Sequence, residues 1–437
     1  MAALFERQPQ YSCGVEMHLT DYEKALLNGD YGQAKQLAMR VLCDLGDHYG
    51  VDRFVEIVAC HDDSTVYLGE AQVEFAEHLV SMGARFAVPT STNACAIDMA
   101  RFDIQKHDVA LMTATRRIEA AHLALGAMAS WTCAPYQAGF APAFGQQVAF
   151  AESNVIAYVN SILGARTNRY AGPLELLAGI AGRVPYFGLH VTENRKACGL
   201  IVIGDDITAD MFEHDSFYTL MAYAYGDIVG DQIWAMDGLP PSISVDNLKN
   251  MSATMASSGG IALFHLVGIT PEAQSLAMAF QGGKPEEVVT LTCKDIRKAE
   301  NQLNSLDDGE EIDLIALGCP HFSGAEFSKL ENTLNGRRVH ENCMLWIFTS
   351  RSTYGMIKDS GQLHRLSSLG VEIFVDGCPL QHPVEKWKTN TFMSNSGKFC
   401  TYCFGLTGRH PGLGTIAECA ESAVHGKVKR ERRPWWN

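Results

Sequence analysis

The sequence predicts an α/β protein built on parallel sheets, on three observations. Between residues 288 and 375, short apolar β-rich runs alternate with amphipathic helical stretches. Residues 54–88 show the same order once, as strand, helix and strand. The apolar run Ile312–Leu317 ends on Gly318-Cys319-Pro320, and Val371–Val375 is followed by Asp376-Gly377-Cys378-Pro379. Parallel strands need crossovers of about a dozen residues or more, which these spacings supply. In open sheets ligands collect beyond the carboxyl ends of strands, so both cysteines stand where a site would form.

Taken in order, Thr20-Asp21 with Glu23 is a helix start signal, and LTDYEKALLNGD is an amphipathic helix broken at Gly29. A second helix covers 31–46. A strand over 54–59 leads into the polar cluster Cys60-His61-Asp62-Asp63-Ser64. A helix over 69–82 stops at Gly83, and a strand over 85–88 leads into Pro89-Thr90-Ser91-Thr92-Asn93. From 105 to 183 the pattern is helical with glycine-rich breaks. Polar residues crowd two of them, Trp131-Thr132-Cys133-Ala134-Pro135-Tyr136 and Ala151-Glu152-Ser153-Asn154. SILGARTNRY then brings Arg166 and Arg169 into a loop, and Gly199–Ile203 is a strand. The array that follows reads as strand 288–291, helix 295–303, strand 312–317, helix 325–334, strand 344–348, helix 353–368 and strand 371–375. A break at 284–287 divides the chain into residues 1–284 and a β-α-β region, 285–437, carrying two of the turn cysteines. The basic tail HGKVKRERRPWWN reads as a solvated end.

Composition narrows the function classes. Hydrophobic residues are 47% and charged residues 19%, ordinary for a globular enzyme of 437 residues. A net charge of −15, from 35 basic and 50 acidic side chains, argues against nucleic acid as a partner. No run of about 18 apolar residues predicts a membrane span. The opening MAALFERQPQ has no export-signal pattern, so a cytoplasmic location is expected. Thirteen cysteines, an odd number scattered irregularly, then read as thiols and metal ligands rather than as a disulfide framework.

Several local patterns fail. Cys400-Thr401-Tyr402-Cys403 has no second pair to make a zinc site, and Gln281-Gly282-Gly283-Lys284 lacks the rest of a phosphate loop. No G-x-S-x-G elbow occurs, although spacing alone leaves Cys319 with His321 open as a thiol nucleophile. His265, inside an apolar stretch, reads as a core histidine. Multiplicity favours metal. Cys133, Cys319 and Cys378 each occupy a Gly-, Pro- or Thr-flanked turn, and iron centres need thiolates converging from separate segments. Three ligands leave a position open for Lewis-acid catalysis, which suits a hydro-lyase acting beside a carboxylate. Arg166, Arg169, Arg183 and Arg195 are the candidate carboxylate anchors.

A joint set of segments then carries a resemblance: VPTSTN at 88–93, WTCAPY at 131–136, AESN at 151–154 and NSILGARTNR at 160–169. Further along come GRVPYFGLH at 182–190, FHLVGITPEA at 264–273, GCPH at 318–321, DGCP at 376–379 and SGK at 396–398. In this order, from about residue 12 to 410, the chain resembles the catalytic large domain of aconitase X, a divergent branch of the aconitase superfamily. The resemblance implies a multi-subdomain, three-layer α/β/α fold and a cytosolic iron-dependent dehydratase. It places the thiolate ligands on Cys133, Cys319 and Cys378, holding an iron–sulfur cluster (2Fe-2S as the first expectation) or a mononuclear iron. It places the substrate pocket on Thr92, Asn93, Glu152, Ser153, Asn154, Arg166 and Lys398. The implied reaction is dehydration of cis-3-hydroxy-L-proline to Δ1-pyrroline-2-carboxylate, with dehydration of mevalonate 5-phosphate, as in archaeal relatives, the alternative. An iron-binding regulatory protein is the non-enzymatic alternative, which the acidity disfavours.

Two departures from the family pattern matter. Where the family tends to read lysine, one residue, alanine, histidine and tyrosine, this chain has Lys398-Phe399-Cys400-Thr401-Tyr402. The chain also ends without the swivelling β-rich domain that in aconitases supplies a catalytic serine. A small swivel-domain subunit is therefore expected as a partner and as the source of the base. Within the chain, His61 and Ser64 are the catalytic candidates.

Overall fold

The computed structural model describes residues 17–381 and 389–436; the opening segment read for an export signal lies outside them. Near the amino terminus Thr20 and Glu23 close a reciprocal capping box on the helix Asp21–Asn28, which Gly29 ends at φ 85°. Strand β1 (Phe54–Glu56) does not enter a parallel sheet. It pairs antiparallel with Arg183–Pro185. The parallel strands come later, β2 (Cys60–Asp62) flanked by β3 (Thr90–Thr92) and β4 (Ala149–Phe150). The expected strands 54–59 and 85–88 are therefore displaced toward their polar ends. β2 and β3 are buried along their whole length although they are polar. Their side chains bond one another and nearby loops, His61 Nδ1 with Ser91 Oγ at 2.8 Å for instance, so hydrophobicity does not mark them.

A second sheet runs β8–β7–β6–β9, all parallel, from β6 (Gly199–Ile203), β7 (Trp234–Asp237), β8 (His265–Leu266) and β9 (Glu287–Leu291). β9 pairs with β6 along its whole length, so this strand and the helix Cys293–Leu303 after it extend the second sheet rather than open the carboxy-terminal array. The break expected at 284–287 falls just ahead of β9, so this sheet spans it. The helices Asp215–Val229 and Val245–Ser258 pack their apolar faces into this unit's core.

The third sheet has five parallel strands in the order β12–β11–β10–β13–β14. They are β10 (Leu314–Leu317), β11 (Met344–Thr349), β12 (Val371–Val375), β13 (Phe392–Ser394) and β14 (Gly412–Leu413). Leu314 to Leu317 are at most 1% exposed, as an apolar run in a doubly covered sheet must be. Ser323 and Glu326 cap the helix Gly324–Leu334, and the helix expected over 353–368 is two, divided at Gly361 (φ 74°).

The tail is a correction. Trp435 is fully buried and donates Nε1–H to Glu300 at 2.6 Å, while Arg433 pairs with Glu300 and Glu418 at 2.8 and 2.7 Å. The basic run thus fastens the second unit to the third. Among the described residues no helix is long and apolar enough to cross a membrane.

Candidate active site and metal centre

Three tight turns bring the cysteines to one cavity of about 800 Å³. Gly318 holds φ 100°, where a Cβ would collide with the Phe348 carbonyl oxygen, so only glycine lets the chain leave β10 at this angle. Asp376 (φ 66°) opens the Cys378 turn, fixed by a 2.6 Å ion pair with Arg351. Trp131 (φ 37°) opens the Cys133 turn. Thr92 shapes that turn, accepting the Trp131 N–H at 3.0 Å and donating to the Met128 carbonyl at 3.0 Å. Asn154 steadies it from the other side, donating to the Cys133 carbonyl at 2.9 Å.

His321 ties the three turns together. Its Nε2 reaches the Gly377 carbonyl at 2.9 Å, its Nδ1 the Thr132 hydroxyl at 3.0 Å, and its backbone N–H donates to Cys133 Sγ at 3.3 Å. Burial pushes the imidazole down to about 4. A neutral ring with Nε2 protonated satisfies both side-chain bonds, because Thr132 Oγ1 already accepts from Ala134 N–H and can give its own proton to Nδ1.

Burial pushes each of the Cys133, Cys319 and Cys378 thiols up to about 12. Mutual repulsion and the Glu152 charge add to this, and the Lys398 ammonium opposes it. Such a set is thiolate only with a cation among the sulfurs, which is what a bound metal supplies. The donor chemistry fits a thiolate-held iron centre. Lys398 sits in the first turn of the helix Gly397–Thr407 and forms a buried ion pair with Glu152. Burial works against its charge, but Glu152 outweighs it and holds the ammonium protonated. Glu152 (φ 73°) also caps the helix Ser153–Tyr158, accepting the Val155 N–H at 2.9 Å.

Asn93, Glu152, Ser153, Lys398 and Ser64 line the cavity with the three cysteines, whereas Thr92 and Asn154 stand behind it. His61 is fully buried against Ser91 and does not line it. Ser64 Oγ donates to Glu175 at 3.0 Å, a carboxyl that burial pushes up to about 8. Arg166 is not among the lining residues. Its side chain bonds Thr192, and Arg169, three residues on, takes the place at the rim while donating to the Gly260 carbonyl at 2.7 Å. The displacement follows from the loop. Arg166 forms a backbone bridge with Gln147 and is half-buried, while Arg169 is exposed. Arg183 is spent on Glu23 and Glu56, and Arg195 on Glu272. His265 is buried, bonded to the Arg195 carbonyl at 2.7 Å.

Sequence reasoning missed Asp63 as a lining residue and His321 as the tie between turns. Asp63 accepts from the Asn93 amide, and burial, with Glu152 next, pushes it up to about 7. Its signal was its place in a polar cluster at a strand end. Elsewhere His214, Glu418 and Glu431 offer ligand atoms within 4.8 Å of one another, but Arg433 already bonds His214 and Glu418 there.

Comparison with known proteins agrees with this architecture. The aconitase X first, second and third domains match residues 16–193, 200–301 and 312–425. Cis-3-hydroxy-L-proline dehydratase of Hypocrea jecorina is 36% identical over 94% of this chain and 70% of its own length. The Pseudomonas aeruginosa protein of that name is 37% identical over 95% and 72%. The phosphomevalonate dehydratase large subunit of Methanothermobacter thermautotrophicus is 33% identical over 91% and 96%. The solved holo-form of Thermococcus kodakaraensis aconitase X superposes with a TM-score of 0.82 at 30% identity, covering 93% of this chain and all of that one.

Proposed function

Because the chain belongs to the aconitase X family, we propose that it is a hydro-lyase dehydrating cis-3-hydroxy-L-proline to Δ1-pyrroline-2-carboxylate. The observation carrying this reading is the meeting of three cysteine thiols and the buried Lys398–Glu152 pair in one cavity. Cys133, Cys319 and Cys378 would hold the iron. A 2Fe-2S cluster is the group we would assign to them, since such clusters are held by cysteine thiolates. Bound there, it would supply a Lewis acid for the departing hydroxyl. Lys398 and Arg169 offer cationic donors to the substrate carboxylate, and the apolar wall of Phe75, Ile156 and Leu176 excludes water.

Charge separates the two candidate substrates. The cavity lining holds two cations, Lys398 and Arg169, of which Lys398 is already paired, and two carboxylates, Asp63 and Glu152. A zwitterionic imino acid matches that balance, whereas a carboxylate joined to a phosphate meets too little positive charge. The regulatory alternative gives way to the dehydratase names of the relatives. His61 is buried away from the cavity and Ser64 directs its proton to Glu175, so neither is placed as the base. A small swivel-type subunit is proposed to bring it; the large-subunit names of archaeal relatives support this. The reaction would take place in the cytoplasm.

The test is anaerobic iron reconstitution with that partner, assaying loss of water from cis-3-hydroxy-L-proline and from mevalonate 5-phosphate. Activity on the imino acid alone is expected. A preference for the phosphate ester would overturn the substrate assignment.

A further inference from the structure

One end of the cavity is lined by Asp63 and Asn93, and the Asn93 side-chain oxygen there has nothing to accept from. Asn93 is 5% exposed, yet its Oδ1 is buried and meets no donor. Its Nδ2 donates to Asp63 Oδ1, which orients the amide and leaves Oδ1 as the atom without a partner. The backbone fixes the pair as well. Asn93 N–H donates to the Asp62 carbonyl at 2.9 Å, the Asn93 carbonyl accepts from Thr65 Oγ1 at 3.0 Å, and Ser64 N–H donates to Asp62 Oδ1 at 2.9 Å. Two acceptors, Asn93 Oδ1 and the second Asp63 oxygen, are thus held rigidly where β2 and β3 end. An unmet buried acceptor is costly, so a ligand that supplies the donor recovers binding energy there.

We infer that Asp63 and Asn93 together bind the ring ammonium of a cyclic imino acid, one N–H to each, and so select this substrate class over hydroxy acids without nitrogen. A secondary ammonium carries two N–H donors, enough for Asn93 Oδ1 and an Asp63 oxygen together, and a phosphate ester carries none. The positive charge also answers an electrostatic need. Burial and the neighbouring Glu152 hold Asp63 up at about 7, as befits a carboxylate short of a cation. With the ammonium at this end, the substrate carboxylate turns toward Lys398 and Arg169. The inference rests on the cis-3-hydroxy-L-proline reading and adds to it the residues that recognise the nitrogen.

The experiment compares the iron-loaded wild-type assembly with Asp63→Asn and Asn93→Ala. Two ligands serve, cis-3-hydroxy-L-proline as substrate and cis-2-hydroxycyclopentane-1-carboxylate, its nitrogen-free carbocycle, as competitive inhibitor. Asp63→Asn is expected to raise KM for the imino acid roughly 10- to 100-fold, with a smaller effect on kcat, and to leave carbocycle inhibition within about threefold. Asn93→Ala follows the same direction more weakly. Parallel weakening of both ligands would overturn the inference, as would a collapse of kcat at constant KM, which would make Asp63 a proton carrier. Retained carbocycle inhibition shows that each variant has folded. If the wild type failed to dehydrate the imino acid, the functional reading itself would fall. If it did so but bound L-proline no better than cyclopentane carboxylate, this inference alone would fall.

Discussion

Replacing His321 with alanine should loosen the proposed metal centre before it unfolds the protein. The imidazole is buried and makes two bonds, to Thr132 at 3.0 Å and to Gly377 at 2.9 Å, which join the Cys133 and Cys378 turns to its own. Its loss strands a buried hydroxyl and a buried carbonyl, each at a cost of about 1–3 kcal/mol, so roughly 2–6 kcal/mol of turn organisation is at stake. Part of that reappears as relaxation, and residues that orient metal ligands typically change affinity by roughly 10- to 100-fold. The assay is iron per chain after anaerobic reconstitution and challenge with a graded chelator, beside the visible absorption of the centre. His321→Ala should surrender iron at correspondingly lower chelator, and His321→Gln, which keeps a donor and an acceptor, should recover part of the loss. Wild-type iron retention and spectrum in His321→Ala would refute the role given to this residue.

Other expectations follow from the same geometry. Gly318→Ala forces a Cβ into the Phe348 carbonyl at φ 100°, so soluble protein should carry less than one tenth of the wild-type iron, roughly, after reconstitution. Trp435→Ala removes a fully buried indole and its bond to Glu300, and thermal or urea unfolding should report a loss of about 3–5 kcal/mol; a change under about 1 kcal/mol would restore the solvated tail. Asp63 is held up to about 7 from 3.8, so the folded protein binds more protons than the unfolded chain between those values. Its contribution is full below about pH 4 and is lost as pH rises through 7, so Asp63→Asn should gain stability relative to wild type over that interval, and an unchanged difference would contradict the shift.

The cysteine turns were legible in the sequence because their geometry is written in glycine and proline: Gly318 sits where a side chain does not fit, and Gly377 where one would be tight against Asp98. The five-stranded sheet was legible in part, from apolar runs such as Leu314–Leu317. The polar strands β2 and β3 were hidden, because His61, Asp62, Ser91 and Thr92 are buried among partners that lie far along the chain, Ser130 and His122 among them. Sheet membership of β9 was likewise invisible, since periodicity gives a strand but not its neighbour. The choice of Arg169 over Arg166 at the rim depends on which face of one loop meets the cavity, and spacing does not encode that. His321 was read as a possible partner of a nucleophile. Its role as a tie between turns needed Thr132 and Gly377 brought together from opposite ends of the chain.

The most direct test of the central claim joins ligand and reaction in one protein. Cys319→Ser should bind substantially less iron than wild type and, assembled with the same partner, yield no Δ1-pyrroline-2-carboxylate from cis-3-hydroxy-L-proline, while the wild type yields it in proportion to bound iron. A Cys319→Ser protein with full iron content, or iron-loaded wild-type assembly that releases no water from the imino acid, would contradict the account.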